Sequence, residues 1–180
     1  MGDEGSMQAI QFWKAVVLDE ANMLEGLVGL FEQHRVAYCV IGGQAVNAYM
    51  EPLVSMDLDV VAAVEDLERI RPILADRFRV EPLPHGINLS LEGSGLRAQI
   101  QTDPRYAAFV GRAERRNVLG LELPVASLED VLQGKVWAVS DPTRRPSKRQ
   151  KDLADIARIL EARSDLRARV PDEVLERLMR

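Results

Sequence analysis

Apolar residues recur along this chain with two different periods, and the switches between them mark its elements. From Met7 to His34 the positions Ile10, Phe12, Trp13, Val16, Val17, Met23, Leu24, Leu27, Leu30 and Phe31 fall at helical spacing and predict one or two helices packed on a sheet. An apolar strand, Ala37 to Ile41, follows and ends at Gly42-Gly43; then come a short amphipathic helix, a loop marked by Pro52, and a second apolar strand carrying Asp57 and Asp59. Residues two apart in a strand point to the same side, so the two aspartates share one face while Met56, Leu58 and Val60 share the other.

Glu65 to Phe78 carries Leu67, Ile70, Ile73, Leu74 and Phe78 on one helical stripe, with Pro72 expected to bend or shorten the helix. Arg79 to Pro84 reads as an edge strand. Ile87 to Leu91 and Leu96 to Thr102 read as a hairpin across Glu92-Gly93-Ser94-Gly95. Tyr106 to Arg116 reads as a short helix and Val118 to Val125 as a single strand. Ser127 is then expected to cap a helix, with Asp130 placed to reach back to its first turn, and this helix ends before Pro142. A further helical stripe, Leu153, Ile156, Ile159 and Leu160, and a short helix from Val170 complete the pattern.

The Val40 to Val61 stretch carries chemistry. Two carboxylates on one strand face can hold a hard cation such as Mg²⁺, and a glycine pair lets a phosphate approach the backbone where the next helix aims its free N–H groups. The elements Gly42-Gly43-Gln44 and Ser55-Met56-Asp57-Leu58-Asp59 resemble the nucleotidyltransferase fold shared by DNA polymerase beta, in particular its bacterial toxin-type branch. The resemblance implies an α/β (α+β) domain with a mixed twisted sheet, helices mainly on one side and a small helical C-terminal portion. It further implies a Mg²⁺ ion held by Asp57 and Asp59, an NTP substrate cradled by Gly42, Gly43, Gln44 and Ser55, and release of pyrophosphate.

Two other stretches adjust that expectation. Active members of this fold usually set a third carboxylate on a strand beside the two aspartates. Here Leu96, Ala98 and Ile100 take one parity, leaving Arg97, Gln99, Gln101 and Asp103 on the other, so amides stand where an acid is expected. An amide can ligate through its carbonyl oxygen but cannot act as a general base. Asp103 has the right parity beside Pro104, where it either substitutes for the acid or caps the helix beginning near Arg105. Farther on, Arg144, Arg145, Lys148, Arg149 and Lys151 cluster between two helices. This resembles the C-terminal motif of toxin-type nucleotidyltransferases, which maps onto Lys135 and the pair Lys151-Asp152. Lys135, Arg149 and Lys151 are therefore expected to neutralise triphosphate charge or to guide an RNA acceptor.

Composition narrows the class. The hydrophobic share of 47% suits a globular protein, no apolar run approaches a membrane span, and the net charge of −5 argues against a general nucleic-acid coat. With one cysteine, Cys39, no internal disulfide can form, and a cytoplasmic location is expected. His34 and His85 have no partner at zinc-ligand spacing. The expected organisation is a tail at 1–6, a nucleotidyltransferase-like domain at 7–126 and a helical subdomain at 127–180. Three functions compete: a nucleotidyltransferase acting on an RNA or protein hydroxyl, as the toxin of a toxin–antitoxin pair; a weakened or inactive relative serving as a nucleotide-binding or antitoxin-like interaction module; and a small-molecule enzyme of the aminoglycoside-modifying type, which would want an acidic acceptor pocket.

Overall fold

The computed structural model describes residues 22–178. Residues 22–33 are helical (α1) and bury Met23, Leu24, Leu27, Leu30 and Phe31 in the core. The earlier part of the N-terminal stripe, with Phe12 and Trp13, lies outside the described residues, as does the tail expected at 1–6. Seven strands follow: β1 (Tyr38–Ile41), β2 (Asp57–Ala62), β3 (Arg79–Leu83), β4 (Gly86–Ser90), β5 (Arg97–Gln101), β6 (Glu114–Val118) and β7 (Leu121–Val125). Helices α2 (Gly42–Tyr49), α3 (Val64–Ala75) and the single turn α4 (Ala107–Val110) lie between them, and α5 (Leu128–Ser140), α6 (Pro146–Ala162) and α7 (Asp172–Leu178) come after the last strand.

The strands form one mixed sheet in the order β3-β4-β5-β2-β1-β7-β6. β1 runs antiparallel to β2 and parallel to β7, while β2 and β5 are parallel. The central strands bury Cys39, Val40, Leu58, Val60, Val61, Ala98 and Ile100, while Asp57 and Asp59 of β2 and Arg97, Gln99 and Gln101 of β5 give their other face a polar patch. The alternation on β2 and β5 packs one face into the core and leaves the other to line a cleft. Burial pushes the Cys39 thiol up to about 12, which fits a packing residue and no reactive role. The edges are blunted, β3 by Pro82 and β6 by Glu114, Arg115 and Arg116.

The mixed sheet with flanking helices matches the expectation, and the β4–β5 hairpin has it nearly to the residue. Two local readings need correction. The helix expected from Tyr106 to Arg116 is only a 3₁₀ turn (Pro104–Tyr106) and α4, because Gly111 ends it and Glu114 already starts a strand. The single strand expected from Val118 to Val125 is the second half of a tight hairpin, β6–β7, turning at Leu119 and Gly120 with φ of 53° and 90°. Two successive positive φ values suit the right-handed twist of a two-residue hairpin loop. Leu119 gives no sequence warning of that conformation. Asn117 supports it by accepting the Gly120 N–H on its side-chain oxygen.

Candidate functional site

The cleft begins where β1 passes into α2. Gly42 opens the helix with φ of 69°, a conformation that favours glycine, and a Cβ there would stand 2.2 Å from Asp59 Oδ2. Asp59 thus occupies the volume that any other residue at position 42 would fill. The register explains why: Asp59 pairs with Ile41 on one side and with Gln99 of β5 on the other. It is a central position on the sheet. Part of the carboxylate opens to the cleft, but protein surrounds the rest, and burial raises its pKa; Lys135, Lys148 and Arg144 pull the other way, while Asp57 adds to the rise.

Asp57, two residues earlier on the same face, has the opposite balance. Burial would raise its pKa, but a 2.8 Å hydrogen bond from Lys148 Nζ, together with the charges of Lys148, Arg97 and Lys151, holds it below the usual carboxylate range. Arg97 lies directly across from it on β5, with Nε 3.5 Å from the carboxylate. Two acids from one strand therefore stay at different proton affinities.

The residues expected to meet a phosphate come together at the N-terminus of α2. A Cβ on Gly43 would lie 3.3 Å from Ser55 Oγ and 3.8 Å from Lys151 Nζ, and Lys151 donates to Ser55 Oγ at 3.3 Å. The backbone N–H groups of the first turn, one hydroxyl and one ammonium converge here, and no acidic residue lies in that turn of α2. Gln44 is different from its expected place in the cradle. Its side chain is buried and donates to the Ser55 carbonyl at 2.8 Å, so it braces the loop before β2.

Lys135 and Asp152 meet, as the paired-helix motif implies, but inside a closed ion cluster. Lys135 Nζ is 2.9 Å from Asp152 and 2.6 Å from Asp155, and Arg144 holds the other oxygen of Asp152 at 2.7 Å. Arg158 pairs with Asp155 at 3.0 Å. Burial would lower the Lys135 pKa; the two carboxylates outweigh it and keep the ammonium charged. Its charge acts on Asp59 from within the wall of the cleft. Arg149, expected at the phosphates, instead donates to the carbonyls of Asp141, Pro142 and Arg144 and ties the α5–α6 loop.

On β5, the register sets Gln99 beside Asp59 and Gln101 beside Val61. Asp103 caps the 3₁₀ turn by accepting the Arg105 N–H and pairs with the Arg105 guanidinium at 2.7 Å. It faces a separate apolar hollow with Pro104 and Val110, so it leaves the cleft without a third acid on this strand. Asp130 does line the cleft, but it is held by both arms of Arg112, at 2.7 and 2.9 Å, and does not reach back toward Ser127. Ser127 itself caps α5 as expected, accepting from the Asp130 N–H.

Two hollows meet at Asp59, Gln99 and Arg144. The inner one, about 120 Å³, runs under α5 past Gln101 and Tyr106; the outer one, about 460 Å³, opens past Asp57, Ser90, Arg97, Arg145 and Lys148. Sequence reasoning singled out neither Lys148 nor Arg144 from the basic run, although only they reach Asp57 and Asp152. Lys148 in the first turn of α6 and Arg144 just ahead of it become informative only when the β2 end is known to lie opposite.

The AbiEii family profile, described as nucleotidyl transferase AbiEii toxin of type IV toxin–antitoxin systems, matches residues 42–180. The chain belongs to the AbiEii nucleotidyltransferase toxin family. Solved structures of other proteins share its fold. The antibiotic-resistance factor ANT(2″)-Ia aligns at 15% identity over 91% of this chain and 95% of its own, with a TM-score of 0.53. The lincosamide antibiotic adenylyltransferase LnuA, solved with lincomycin, aligns at 16% identity over 76% and 95%, also with a TM-score of 0.53. The Megavirus polyadenylate synthase aligns at 13% identity over 87% of this chain and 35% of its own, with a TM-score of 0.59. No curated sequence matches the chain. None of the helices among the described residues is long and apolar enough to cross a membrane.

Proposed function

We propose that this AbiEii-family protein moves a nucleoside monophosphate from a magnesium-bound NTP to an acceptor hydroxyl. The observation that carries this reading is the interlock of Gly42 with Asp59: the strand-to-helix turn and the carboxylate pair are built around one another, so phosphate and metal would share one corner. Among the described residues no group of three His, Cys, Asp or Glu side chains could hold a metal. Two carboxylates nevertheless suit Mg²⁺, which keeps waters and takes further oxygens from substrate phosphates. Asp57 and Asp59 would hold it, with the Gln99 carbonyl oxygen as a neighbour. When bound, the ion would offset the negative charge developing in transfer.

The chain's own residues supply the rest. Gly43, Ser55 and Lys151 bind phosphate, and Lys148, which donates to Asp57 at 2.8 Å, would add its charge beside them. Gln99 orients a hydroxyl but cannot take its proton, and Asp57 and Asp59 are committed to the metal. Transfer is accordingly expected to be slow, since general-base assistance is typically worth about 10²–10⁴-fold. The outer hollow has Arg97, Arg144, Arg145 and Lys148 on its walls and a single acid besides the site pair, Glu81. That lining favours an anionic acceptor such as RNA over a cationic small molecule. A cognate antitoxin is the partner the family implies.

Gln99 at the acid position also favours a second reading, a nucleotide-binding module with no turnover. Incubating the purified protein with each α-labelled NTP, Mg²⁺ and total RNA or cell extract separates the two. A labelled acceptor that disappears in Asp57→Asn and Asp59→Asn is the expected result; binding of Mg–NTP without any product selects the module, and neither binding nor product refutes both.

A further inference from the structure

The segment from Met50 to Met56 has no regular structure, yet three of its backbone carbonyls and one N–H are held by side chains from two helices. Asn47 on α2 forms a closed ring with Leu53, donating from Nδ2 to its carbonyl at 2.6 Å and accepting its N–H on Oδ1 at 3.0 Å. Gln44, one turn earlier, takes the Ser55 carbonyl. Arg158 reaches across from α6 and donates from Nη2 to the Glu51 carbonyl at 2.5 Å and to Asn47 Oδ1 at 3.3 Å, while its other arm pairs with Asp155. Glu51, Leu53 and Ser55 are thus fixed at alternate positions, as a neighbouring strand would fix them. The loop is pinned although Leu53 and Val54 are 57% and 87% exposed and contribute little packing.

We infer that Asn47 and Arg158 are positioning residues for the phosphate-binding loop: they hold the Ser55 hydroxyl at the distance from Gly43 and Lys151 that a phosphate oxygen requires. The inference rests on the phosphate corner proposed above. Packing does not replace the clamp, because the residues that would supply it point to solvent. Arg158 also carries the second salt bridge of Asp155, so the loop is referenced to the same buried cluster that bears on Asp59 through Lys135.

The test measures binding of magnesium with α,β-methylene analogues of the four NTPs by calorimetry, and hydrogen exchange over residues 51–56, in Asn47→Ala, Arg158→Lys and, as a control on the corner itself, Ser55→Ala. Arg158→Lys keeps a cation for Asp155 but cannot bridge Asn47 and Glu51 together, so its melting temperature should hold. Both clamp variants are expected to bind the analogue about tenfold more weakly, as losing a hydrogen bond to or from a charged group implies, and to exchange faster only at the loop. Asn47→Asp, which keeps the acceptor for Leu53 and Arg158, should recover part of the affinity. If Ser55→Ala weakens binding while Asn47→Ala and Arg158→Lys bind and exchange like wild type, the clamp is overturned and the phosphate corner stands. If Ser55→Ala also binds like wild type, the corner fails and takes the clamp with it.

Discussion

Helix α6 and its neighbour α5 carry two sets of lysines with opposite fates. At the start of α6, Lys148 and Lys151 reach an open cleft, where each meets one oxygen of β2 or of the loop before it. Lys135 on α5 is walled in between Asp152 and Asp155, its side chain 8% exposed against 39% for Lys148. A charge with every neighbour satisfied holds structure and shapes the potential of the cleft; a charge with one weak partner can trade it for a ligand. Sequence spacing alone cannot tell the two apart, since both sit in helices among apolar stripes.

The largest effect should come from breaking the closed set. Lys135→Met leaves Asp152 and Asp155 short of a cation, and removing one partner of a buried ion pair typically costs about 3–5 kcal/mol. Lys148→Met should cost within about 1 kcal/mol, as exposed pairs do. Urea denaturation at neutral pH compares them, and equal losses would erase the distinction drawn here.

Adding a charge to the open cleft comes next. Gln99→Asp sets an acid beside Asp59 and should raise transfer by about tenfold or more, toward the range expected of a general base. Gln101→Asp, one position pair away beside Val61, should gain less, and Asp103→Asn should change transfer little because Asp103 is committed to Arg105. Loss of transfer in Asp103→Asn would restore that residue to the cleft.

Lys151→Gln should weaken Mg–NTP binding about tenfold, the scale of a charge-assisted hydrogen bond, without moving the urea midpoint. Arg149→Gln should leave nucleotide affinity unchanged, since its guanidinium faces the α5–α6 loop. Calorimetry on the two variants sharpens the contrast between a free and a committed cation.

The smallest effect separates the two aspartates. The lowered pKa of Asp57 means stability present above the ordinary Asp range and lost as pH falls through the lowered value; the raised pKa of Asp59 means stability present below the ordinary range and lost as pH rises through the raised value. At neutral pH, Asp59→Asn should therefore raise stability slightly and Asp57→Asn lower it, each by no more than about 1 kcal/mol, with the differences fading in acid. Denaturation at neutral and acid pH reads the signs.

The central part of the site was legible because its signals are local. The glycine pair, Ser55 and the two aspartates lie within one strand-helix-strand unit, and parity places Asp57 and Asp59 on a common face without knowledge of the rest. Parity also put Gln99 and Gln101 on the polar side of β5, but only the parallel register shows that Gln99 is the one beside Asp59. The roles of Lys148, Arg144 and Arg158 depend on which side of α6 faces β2 and α2, and a run of basic residues at a helix start does not encode that. The Arg149 and Gln44 side chains meet backbone carbonyls for a related reason: a polar side chain near a site can serve a carbonyl as readily as a ligand. The β6–β7 hairpin stayed hidden because its turn uses Leu119 where Asn or Gly would have announced it.

Asp57 meets Lys148 across 91 positions of the chain, Ser55 meets Lys151 across 96, and Asn47 meets Arg158 across 111. Contacts of such sequence range close late, because the entropy of a large loop must be overcome before they contribute. During synthesis, β1, α2 and β2 leave the ribosome long before α6 does. The acidic pair then stands without the counter-charge of Lys148, and the loop from Met50 to Met56 without its far anchor on Arg158. Until the last long helix has docked, the growing chain holds Asp57 and Ser55 without Lys148 and Lys151.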